Sequence, residues 1–582
     1  MIEWVHPSIL LILGAPLIPL FKGRMRQVYI LLLPALALAA VFLMSPGTYG
    51  VVRFLGLELI FGRVDKLSLL FAYVFASVAL IGSIYALHVK DHGQHIAAFV
   101  YAGSSLGVTF AGDLLTLFIF WELMAFASVW LIWSRRQQAS IAAGYRYLLV
   151  HAVGGVLLLA GIVIYFVTTG SIAFEPIPEQ GAAFYLILIG FMINAAVPPL
   201  HAWLTDAYPE ATVTGAVFLS AFTTKTAVYA LLRAYPGTEI LIWLGAIMAV
   251  HGVVYAVLAN DIRRLLAYHI VSQVGYMVAG VGMGTALALN GTTAHAFTHI
   301  LYKGLLFMGA GAVIHMTGRS KLTELGGLYR WMPLTFILYM VGGFSISAFP
   351  LFSGFVSKSM VVSAAAENHL AWIWLLLTLA SAGTFLHTGL KLPYFTFLGK
   401  DSGIRTSDPP RNMLVAMGIA AFLCIFIGVY PVWLYDLLPA PVDYQPYTAT
   451  HVVWALQILL FTGVGFFLLL KHVGGERKIS LDTDWFYRKG AVYFMWFVDR
   501  VVAPIEGSVG QVYRHVFRGN LVLARKGYWL DKNVIDGAVN GIAASVARWA
   551  DALRRIQTGN LQHYALVMVG SLLILMSLYR LF

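Results

Sequence analysis

The sequence predicts an all-α integral membrane protein with about sixteen transmembrane helices. Of its 582 residues, 60% are hydrophobic and only 11% are charged, and the mean hydropathy is +0.81. Soluble domains carry roughly 25% charged residues, so this composition excludes an ordinary soluble fold. The apolar runs are unbroken and about 20 residues long, whereas the strands of a membrane β-barrel alternate over about ten residues. Helices are therefore the predicted spanning elements.

Cysteine content and charge exclude other classes of protein. The single cysteine, Cys424, lies in an apolar run, which excludes an intrachain disulfide and a cluster of thiolate ligands. The net charge of +12 comes from basic residues in the loops between apolar runs, so no nucleic-acid partner is predicted. The first residues, Met-Ile-Glu-Trp-Val-His, lack the basic region of a signal peptide, and we expect the first apolar run to be retained.

The basic loops predict the orientation of the chain. Lys and Arg are frequent in loops after odd-numbered apolar runs and rare after even-numbered ones. Because basic loops face the cytoplasm, both termini are predicted to lie outside it, in the cytoplasmic membrane of a bacterium or archaeon. The predicted regions are N-terminal helices with a short β-hairpin loop (1–111), a first repeat (95–233), a second, inverted repeat (239–398), C-terminal transmembrane helices (412–471), an amphipathic lateral helix (482–557) and a final transmembrane helix (562–582).

Two segments between the apolar runs have patterns of their own. Residues 48–65 alternate loosely and are interrupted by glycines, which predicts a short β-hairpin outside the membrane. Residues 482–557 mix basic and acidic residues with Trp, Phe, Val and Ile at helical spacing. This pattern predicts an amphipathic helix on the cytoplasmic surface, with a small soluble domain as the alternative.

Internal prolines interrupt two of the predicted helices. Pro198 and Pro199 lie near the seventh apolar run, and Pro350 lies within the twelfth. An interior proline removes a backbone donor and breaks a helix. Discontinuous helices at corresponding positions of two inverted repeats mark an ion pathway in transporters, so we expect two inverted five-helix repeats. An ordinary proline kink is the alternative.

Six ionisable side chains remain inside apolar runs: Glu122, Arg146, Lys225, Lys303, Lys358 and Lys391. Each costs at least about 2.5 to 3.5 kcal/mol at the membrane centre, so each requires a reason. Glu122, Lys225 and Lys303 are predicted to lie deepest. Arg146 and Lys391 lie nearer the predicted ends of their helices, where their charged groups could reach the interface.

The eleventh run contains His295, His299 and Lys303, each four residues after the last and hence on one helix face. Zinc binding and a structural histidine pair are alternatives, but the neighbouring Glu of a His-Glu-x-x-His motif is missing, and no metal is predicted. Histidine titrates near neutral pH, and burial brings lysine towards that range. This stripe therefore predicts a proton relay.

Several motifs resemble those of the antiporter-like subunits of respiratory complex I, Mrp-type cation/proton antiporters and membrane-bound hydrogenases. The matching stretches are Phe-Trp-Glu-Leu-Met at 120–124, Pro-Leu-His-Ala-Trp-Leu-Thr-Asp-Ala at 199–207, Lys-Thr-Ala-Val-Tyr-Ala-Leu-Leu-Arg at 225–233, Asn-Asp-Ile-Arg-Arg-Leu-Leu-Ala-Tyr at 260–268, the histidine stripe, and Phe-Pro-Leu-Phe-Ser-Gly-Phe-Val-Ser-Lys at 349–358. The C-terminal region is similar to that of the distal subunit type, which carries a lateral helix and a sixteenth crossing.

The resemblance implies a proton pathway through Glu122, Lys225, His295, His299, Lys303 and Lys358, with Arg146, His151, Asn194, His251 and Lys391 as accessory residues. One position departs from the family, because Asn194 stands where the family has the lysine that pairs with the glutamate. Glu122 would then need another partner, such as His151 or a lysine of a neighbouring subunit.

The resemblance also implies a protein that moves protons, with sodium exchange an open alternative, inside a complex of membrane subunits in the lipid bilayer. The chain has no redox motif, so no cofactor is predicted and any electron transfer would belong to partner subunits. The alternatives are a non-conducting structural or coupling role, a relative that couples proton flow to uptake of another solute such as inorganic carbon, and an independent secondary transporter.

Overall fold

The computed structural model describes residues 4–474 and 481–581, apart from the side chain of Tyr487. These residues form helices and one β-hairpin. The helices before the second proline break are α1 (Pro7–Gly14), α2 (Gly23–Phe42), α3 (Lys66–Tyr85), α4 (His92–Phe110), α5 (Leu114–Trp133), α6 (Gln138–Thr169), α7 (Gly181–Asn194), α8 (Ala202–Ala207), α9 (Val213–Ala221), α10 (Thr223–Ala234), α11 (Ile240–Leu258), α12 (Ile262–Met283), α13 (Ala286–Thr317) and α14 (Pro333–Ile346).

The later helices are α15 (Ser353–Glu367), α16 (Ala371–Thr384), α17 (Arg411–Val429), α18 (Val432–Tyr435), α19 (Ala449–Leu468), α20 (Leu470–Val473), α21 (Asp484–Phe497), α22 (Ala503–Leu530), α23 (Asp536–Ile556) and α24 (Leu561–Leu581). Phe385–Lys391 and Tyr394–Leu398 continue α16 as π-helix, the wider helix in which residue i bonds residue i−5.

Twelve helices in the described parts of the chain are long and apolar enough to cross a membrane. Shorter apolar helices lie at Pro7–Leu20, Gly181–Asn194 and Pro333–Ile346. The prediction of a polytopic, helical membrane protein is therefore confirmed. The number of crossings, their inversion and the position of the lateral helix remain predictions.

The predicted hairpin segment contains two paired strands, β1 (Gly47–Phe54) and β2 (Leu57–Val64). They are antiparallel, with Val51 opposite Ile60 and Phe54 opposite Leu57. The connecting residues Leu55 and Gly56 both have positive φ, as a tight two-residue turn between twisted strands requires.

Close backbone packing places α11, α12 and α13 at the centre of the structure. The most apolar windows of α12 and α13 are 100% and 94% buried. Glycines make the contact between α11 and α12 possible, because a Cβ at Gly245 would lie 2.2 Å from the backbone nitrogen of Ala279 and one at Gly275 would lie 2.5 Å from that of Ala249. Small residues commonly allow such an approach between membrane helices.

Both helices with internal prolines are broken as predicted. α7 ends at Asn194 and the chain turns through Ala196 at φ +58°, whereas α14 ends at Ile346 and turns through Ala348 at φ +56°. The turns share a pattern of backbone bonds, since the N–H of Val197 donates to Met192 O and that of Phe349 donates to Phe344 O. The proline follows directly in each case, so neither helix can continue unbroken.

A second set of matching features precedes the two breaks. Asp113 and Asp261 each cap the N-terminus of a helix, α5 and α12, and each forms an isolated antiparallel bridge, to Ala173 and Lys321. The long helices that follow, α6 and α13, both contain 32 residues and end at a glycine in the left-handed conformation. All these paired positions are separated by the same number of residues.

Residues 486–582 form a separate compact unit, of which 486–581 are described. α21, α22 and α23 follow one another through π-helical turns, and α24 meets the length and apolarity required of a span. The apolar residues of α23 lie three and four positions apart along one face, at Val539, Ile542, Val546, Trp549, Leu553 and Ile556, and all are exposed. The predicted amphipathic pattern is thus carried by helix; Phe582 lies outside the described residues.

Candidate functional site: a buried line of lysines and histidines

α13 carries the centre of the candidate site. His295, His299 and Lys303 have no solvent exposure and repeat every four residues, so they lie on one face of this buried helix. Neither ring nitrogen of His299 has a hydrogen-bond partner among the described residues. Buried polar atoms are normally paired with protein or water, so an unpaired ring here marks a place for ordered water.

Lys303 is joined to a histidine of α12. Its Nζ donates to Nδ1 of His269 at 3.2 Å. The other ring nitrogen, Nε2, lies 3.2 Å from the Thr384 hydroxyl, whose own hydrogen is donated to Ala380 O. Nε2 must therefore carry the ring proton of His269, which leaves Nδ1 free to accept from Lys303.

The polar contacts continue from His269 into the π-helical extension of α16. The rings of His269 and His387 are 4.7 Å apart at an angle of 76°. One π-helical turn further along, Lys391 donates to the carbonyl oxygens of Val257 and Ala259 at the end of α11. The suggestion that Lys391 reaches the membrane interface is wrong within this chain, because the residue is only 1% exposed and uses these carbonyls instead.

Lys358 lies directly after the second helix break. Its Nζ donates to Ile346 O, the last carbonyl of α14, at 3.2 Å and lies 5.7 Å from the ring of Tyr276. The neighbouring Ser357 connects it to the central stripe, because its hydroxyl is 3.3 Å from Nδ1 of His295. The break thus exposes a carbonyl for the lysine that the intact helix would have used.

A cavity of about 400 Å³ borders Lys358. Its polar lining includes Ser347, Ser359, Ser381, Tyr444 and His451. A water molecule occupies about 30 Å³ in the liquid, so the cavity has room for roughly a dozen.

Lys225 lies at another local break, between α9 and α10. Phe222 has a distorted backbone (φ −97°, ψ −71°), and the Nζ of Lys225 donates to Ser220 O at 2.6 Å. The side chain has no solvent exposure. As with Lys358, the lysine uses a carbonyl next to a helix irregularity.

Glu122 and His151 do not form the pair suggested from the sequence. Nδ1 of His151 donates to Oδ1 of Asn194 at 2.9 Å, and Oε1 of Glu122 has no partner among the described residues. Glu122 is half-buried and packs on α6, where a Cβ at Gly155 would lie 2.0 Å from Oε1. The departure at position 194 therefore pairs the asparagine with the histidine, and a cation from a neighbouring subunit remains a prediction for Glu122.

Arg146 has a structural partner. Its guanidinium donates to both oxygens of Asp206, at 2.6 and 3.0 Å. Such a two-point ion pair, with Asp206 largely buried, gives this arginine a reason to lie in an apolar helix.

His251, an accessory residue in the prediction, lies in a separate cluster. Its Nε2 is 2.9 Å from Nε2 of His201, which in turn is 3.1 Å from Oδ2 of Asp482. Tyr268 donates to the same carboxylate oxygen at 2.6 Å. Burial alone would raise the pKa of the Asp482 carboxyl, but the hydrogen bonds from His201 and Tyr268 lower it to about 2.

Sequence reasoning missed several members of these clusters: His201, His269, Gln273, Tyr276, Thr384, His387 and Asp482. His269 and His387 also stand in apolar runs, and a search for buried histidines as well as charges would have found them. Their contacts with Lys303 and with each other depend on which faces of α12 and α16 meet α13, which the sequence does not show.

The fold and the buried cationic line define an antiporter-like membrane protein. Residues 111–384 match the family described as NADH:quinone oxidoreductase/Mrp antiporter, TM, and the resemblance seen in the motifs is thereby confirmed.

Two relatives and one solved structure illustrate the similarity. A protein of Rhizobium meliloti, described as a probable K(+)/H(+) antiporter component, is 29% identical over 399 residues, which are 63% of this chain and 40% of that protein. The NAD(P)H-quinone oxidoreductase chain 5 of Picosynechococcus sp. is 27% identical over 590 residues, covering 88% of this chain and 85% of the relative. This chain thus spans less than half of the first relative and most of the second.

The solved structure is that of the membrane-bound sulfane sulfur reductase, an archaeal respiratory membrane complex. One of its chains superposes with a TM-score of 0.70 at 24% identity, over 98% of this chain and 99% of that one. At this identity the likeness shows a shared fold.

Proposed function

We propose that this chain is a proton-translocating membrane subunit of a multisubunit complex, with sodium/proton exchange as the alternative ion chemistry. The proton pathway runs through Lys225, the stripe of His295, His299 and Lys303, and Lys358. The observation that carries the proposal is the set of contacts linking Lys303 to His269 and His295 to Ser357 inside a fully buried core.

The cost of burial supports a functional role for these cations. Lysine in the middle of a membrane helix costs at least about 2.5 kcal/mol, and this chain places three lysines at 2% exposure or less in α10, α13 and α15. None of the three has an acidic partner among the ion pairs of the described residues. Stability alone would favour leucine or methionine at these positions.

The helix breaks give these lysines a means to change partners. Lys225 and Lys358 both donate to carbonyls released by an irregular helix, so a side chain can leave its carbonyl without breaking a regular helix bond. The cavity beside Lys358 would supply water at one end of the pathway, and Lys391, at the end of the line through His269 and His387, would mark the other.

We further propose two inverted five-helix repeats within about sixteen crossings. The matched caps, bridges, long helices and breaks support the repeats, and an odd number of crossings between the two breaks would invert them. The hairpin and both termini would then lie outside the cytoplasm, and 482–557 would form the lateral helix along the cytoplasmic surface of a bacterial or archaeal membrane.

The two repeats differ where the relay lies. At the spacing that relates α6 to α13, the positions of His295, His299 and Lys303 correspond to Tyr147, His151 and Gly155. Lys303 therefore has a glycine as its counterpart. We assign conduction to the second repeat together with Lys225, and we assign Glu122, which is half-exposed, to contact with a neighbouring membrane subunit.

The second candidate is a non-conducting structural or coupling role. Asn194, bonded to His151, favours it for the first repeat because an amide cannot carry the charge of the family's lysine. Coupling of proton flow to uptake of another solute remains a third option, since a similar proton pathway would serve it.

Proton uptake into vesicles containing the purified complex distinguishes these candidates. Lys225→Met and Lys303→Met are each expected to reduce coupled uptake at least tenfold, whereas Lys532→Met, an exposed lysine of the C-terminal unit, is expected to leave it unchanged. Uptake at the wild-type rate in both core variants would overturn the relay and favour the structural role. Repeating the measurement with and without a sodium gradient tests the sodium alternative.

A further inference from the structure

Three side chains from distant parts of the sequence converge at a place that the proton pathway does not use. His201 follows the first helix break, His251 lies on α11, and Asp482 lies just before α21. Nε2 of His201 is 2.9 Å from Nε2 of His251 and 3.1 Å from Oδ2 of Asp482, and Nε2 of His251 is 3.9 Å from Oδ1 of Asp482. Three donor atoms of the kind that bind metals therefore form a small triangle.

Hydrogen bonding alone satisfies this triangle poorly. A proton on Nε2 of His201 can point to the carboxylate or to His251, but not to both. If His251 is also protonated at Nε2, two N–H groups face each other at 2.9 Å. If neither nitrogen carries a proton, two lone pairs and a carboxylate face one another. A cation between the three atoms accepts all of these lone pairs at once.

We propose that His201, His251 and Asp482 form a binding site for a divalent transition-metal ion, best fitted by Zn²⁺. Zinc bonds of about 2.0–2.2 Å in tetrahedral geometry place neighbouring ligand atoms about 3.3–3.4 Å apart. The three observed separations lie on either side of this value, so small side-chain rotations bring the atoms into place. Two imidazoles and one carboxylate suit zinc and disfavour magnesium and calcium, which prefer oxygen ligands alone.

The surroundings support a metal site. Tyr268 donates to Oδ2 of Asp482, and the backbone N–H of Thr483 donates to Oδ1 at 2.7 Å, so the carboxylate is oriented before a metal arrives. The His201 and Asp482 side chains are almost fully buried, but the His251 side chain is 20% exposed. That exposed side offers an entry path and a position for water as the fourth ligand.

Bound metal would join the segment after the first break, α11 and the segment before α21. Because the ion binds the folded chain, Zn²⁺ is expected to raise its thermal stability in proportion to occupancy. This effect does not depend on proton transport, so the proposal and the proposed function can fail independently.

The test uses the full chain in its purified complex, stripped with EDTA and titrated with Zn²⁺ alone. Metal analysis after desalting is expected to show one zinc per chain above the level retained by the variants. The zinc X-ray absorption edge is expected to show two imidazole nitrogens and carboxylate or water oxygen at about 2.0–2.2 Å.

Two variants and one control locate the site. His251→Ala and Asp482→Asn are each expected to weaken Zn²⁺ binding at least tenfold and to abolish the zinc-dependent stabilisation. His515→Ala removes an exposed histidine whose ring bonds only to Gln511 of its own helix, and it is expected to change neither. If a variant does not fold, the wild-type absorption spectrum still decides, because a spectrum without imidazole scattering would overturn the site. Equal zinc content in wild type and His251→Ala would also overturn it, leaving a proton-sharing cluster.

Discussion

Replacing Gly155 with alanine is expected to displace the Glu122 carboxylate without changing charge or polarity. A Cβ at position 155 would lie 2.0 Å from Oε1 and 2.8 Å from Cδ of Glu122, both too close for any contact, so the glutamate must adopt another rotamer. A strained side chain costs about 0.5–1.5 kcal/mol. Alanine in place of glycine inside a helix returns about 0.5–1 kcal/mol. The free energy of unfolding should therefore change by less than about 1 kcal/mol.

The adjacent Gly154 provides a matched control. A Cβ at this position would meet Ile193 Cγ2 at 3.2 Å, which a flexible side chain can accommodate, and it would not touch Glu122. If the carboxylate position contributes about 1 kcal/mol to ion transfer, Gly155→Ala should slow proton uptake about fivefold relative to Gly154→Ala. The measurements are uptake into vesicles and thermal unfolding of each complex. Equal uptake in the two variants would refute a role for Glu122 in translocation.

Three further outcomes are expected. Lys303→Met should leave thermal stability unchanged or raise it by about 1–2 kcal/mol, because relief from burying a cation outweighs the lost bond to a histidine; a clear fall in the unfolding temperature would contradict this balance. Gly275→Ala should destabilise the chain by about 2 kcal/mol, since the new methyl group meets backbone, whereas Gly418→Ala, with open space around it, should be neutral in the same unfolding assay. Burial would raise the pKa of Asp65, but its ion pair with Arg233 at 2.6 Å lowers that pKa overall. Asp65→Asn should therefore cost about 1 kcal/mol at neutral pH, a figure reduced for its partial exposure, and the difference from wild type should disappear as the pH falls below about 4 in a pH series of unfolding temperatures.

The residues that could be predicted from the sequence are those whose physical cost is visible without a partner. A lysine in an apolar run is expensive wherever the helix packs, so Lys225, Lys303 and Lys358 stood out. A proline inside such a run breaks the helix whatever surrounds it, and both predicted breaks are present. Polarity and periodicity were sufficient for these assignments.

The residues that were missed become important only through three-dimensional contacts. His269 bonds Lys303 because α12 and α13 present particular faces to each other, and neither face is distinguished in two uniformly buried helices. The contact between His201 and Asp482 joins residues 281 positions apart. No periodicity in either segment indicates it. The same limit explains why His151 was offered as a partner for Glu122, although Asn194 was the nearer acceptor.

The contrast between the two sets of matched features bears on why the first repeat could lose its lysine without losing its fold. The caps at Asp113 and Asp261 and the glycine ends of α6 and α13 are backbone devices, and both repeats keep them. The charged groups stabilise neither repeat, since burying them costs free energy. A repeat that no longer conducts therefore gains stability when a buried cation becomes an amide or a glycine, while its helices, breaks and bridges remain. On this argument Asn194 and Gly155 follow from one cause, and Lys303 is retained because protons still pass through it.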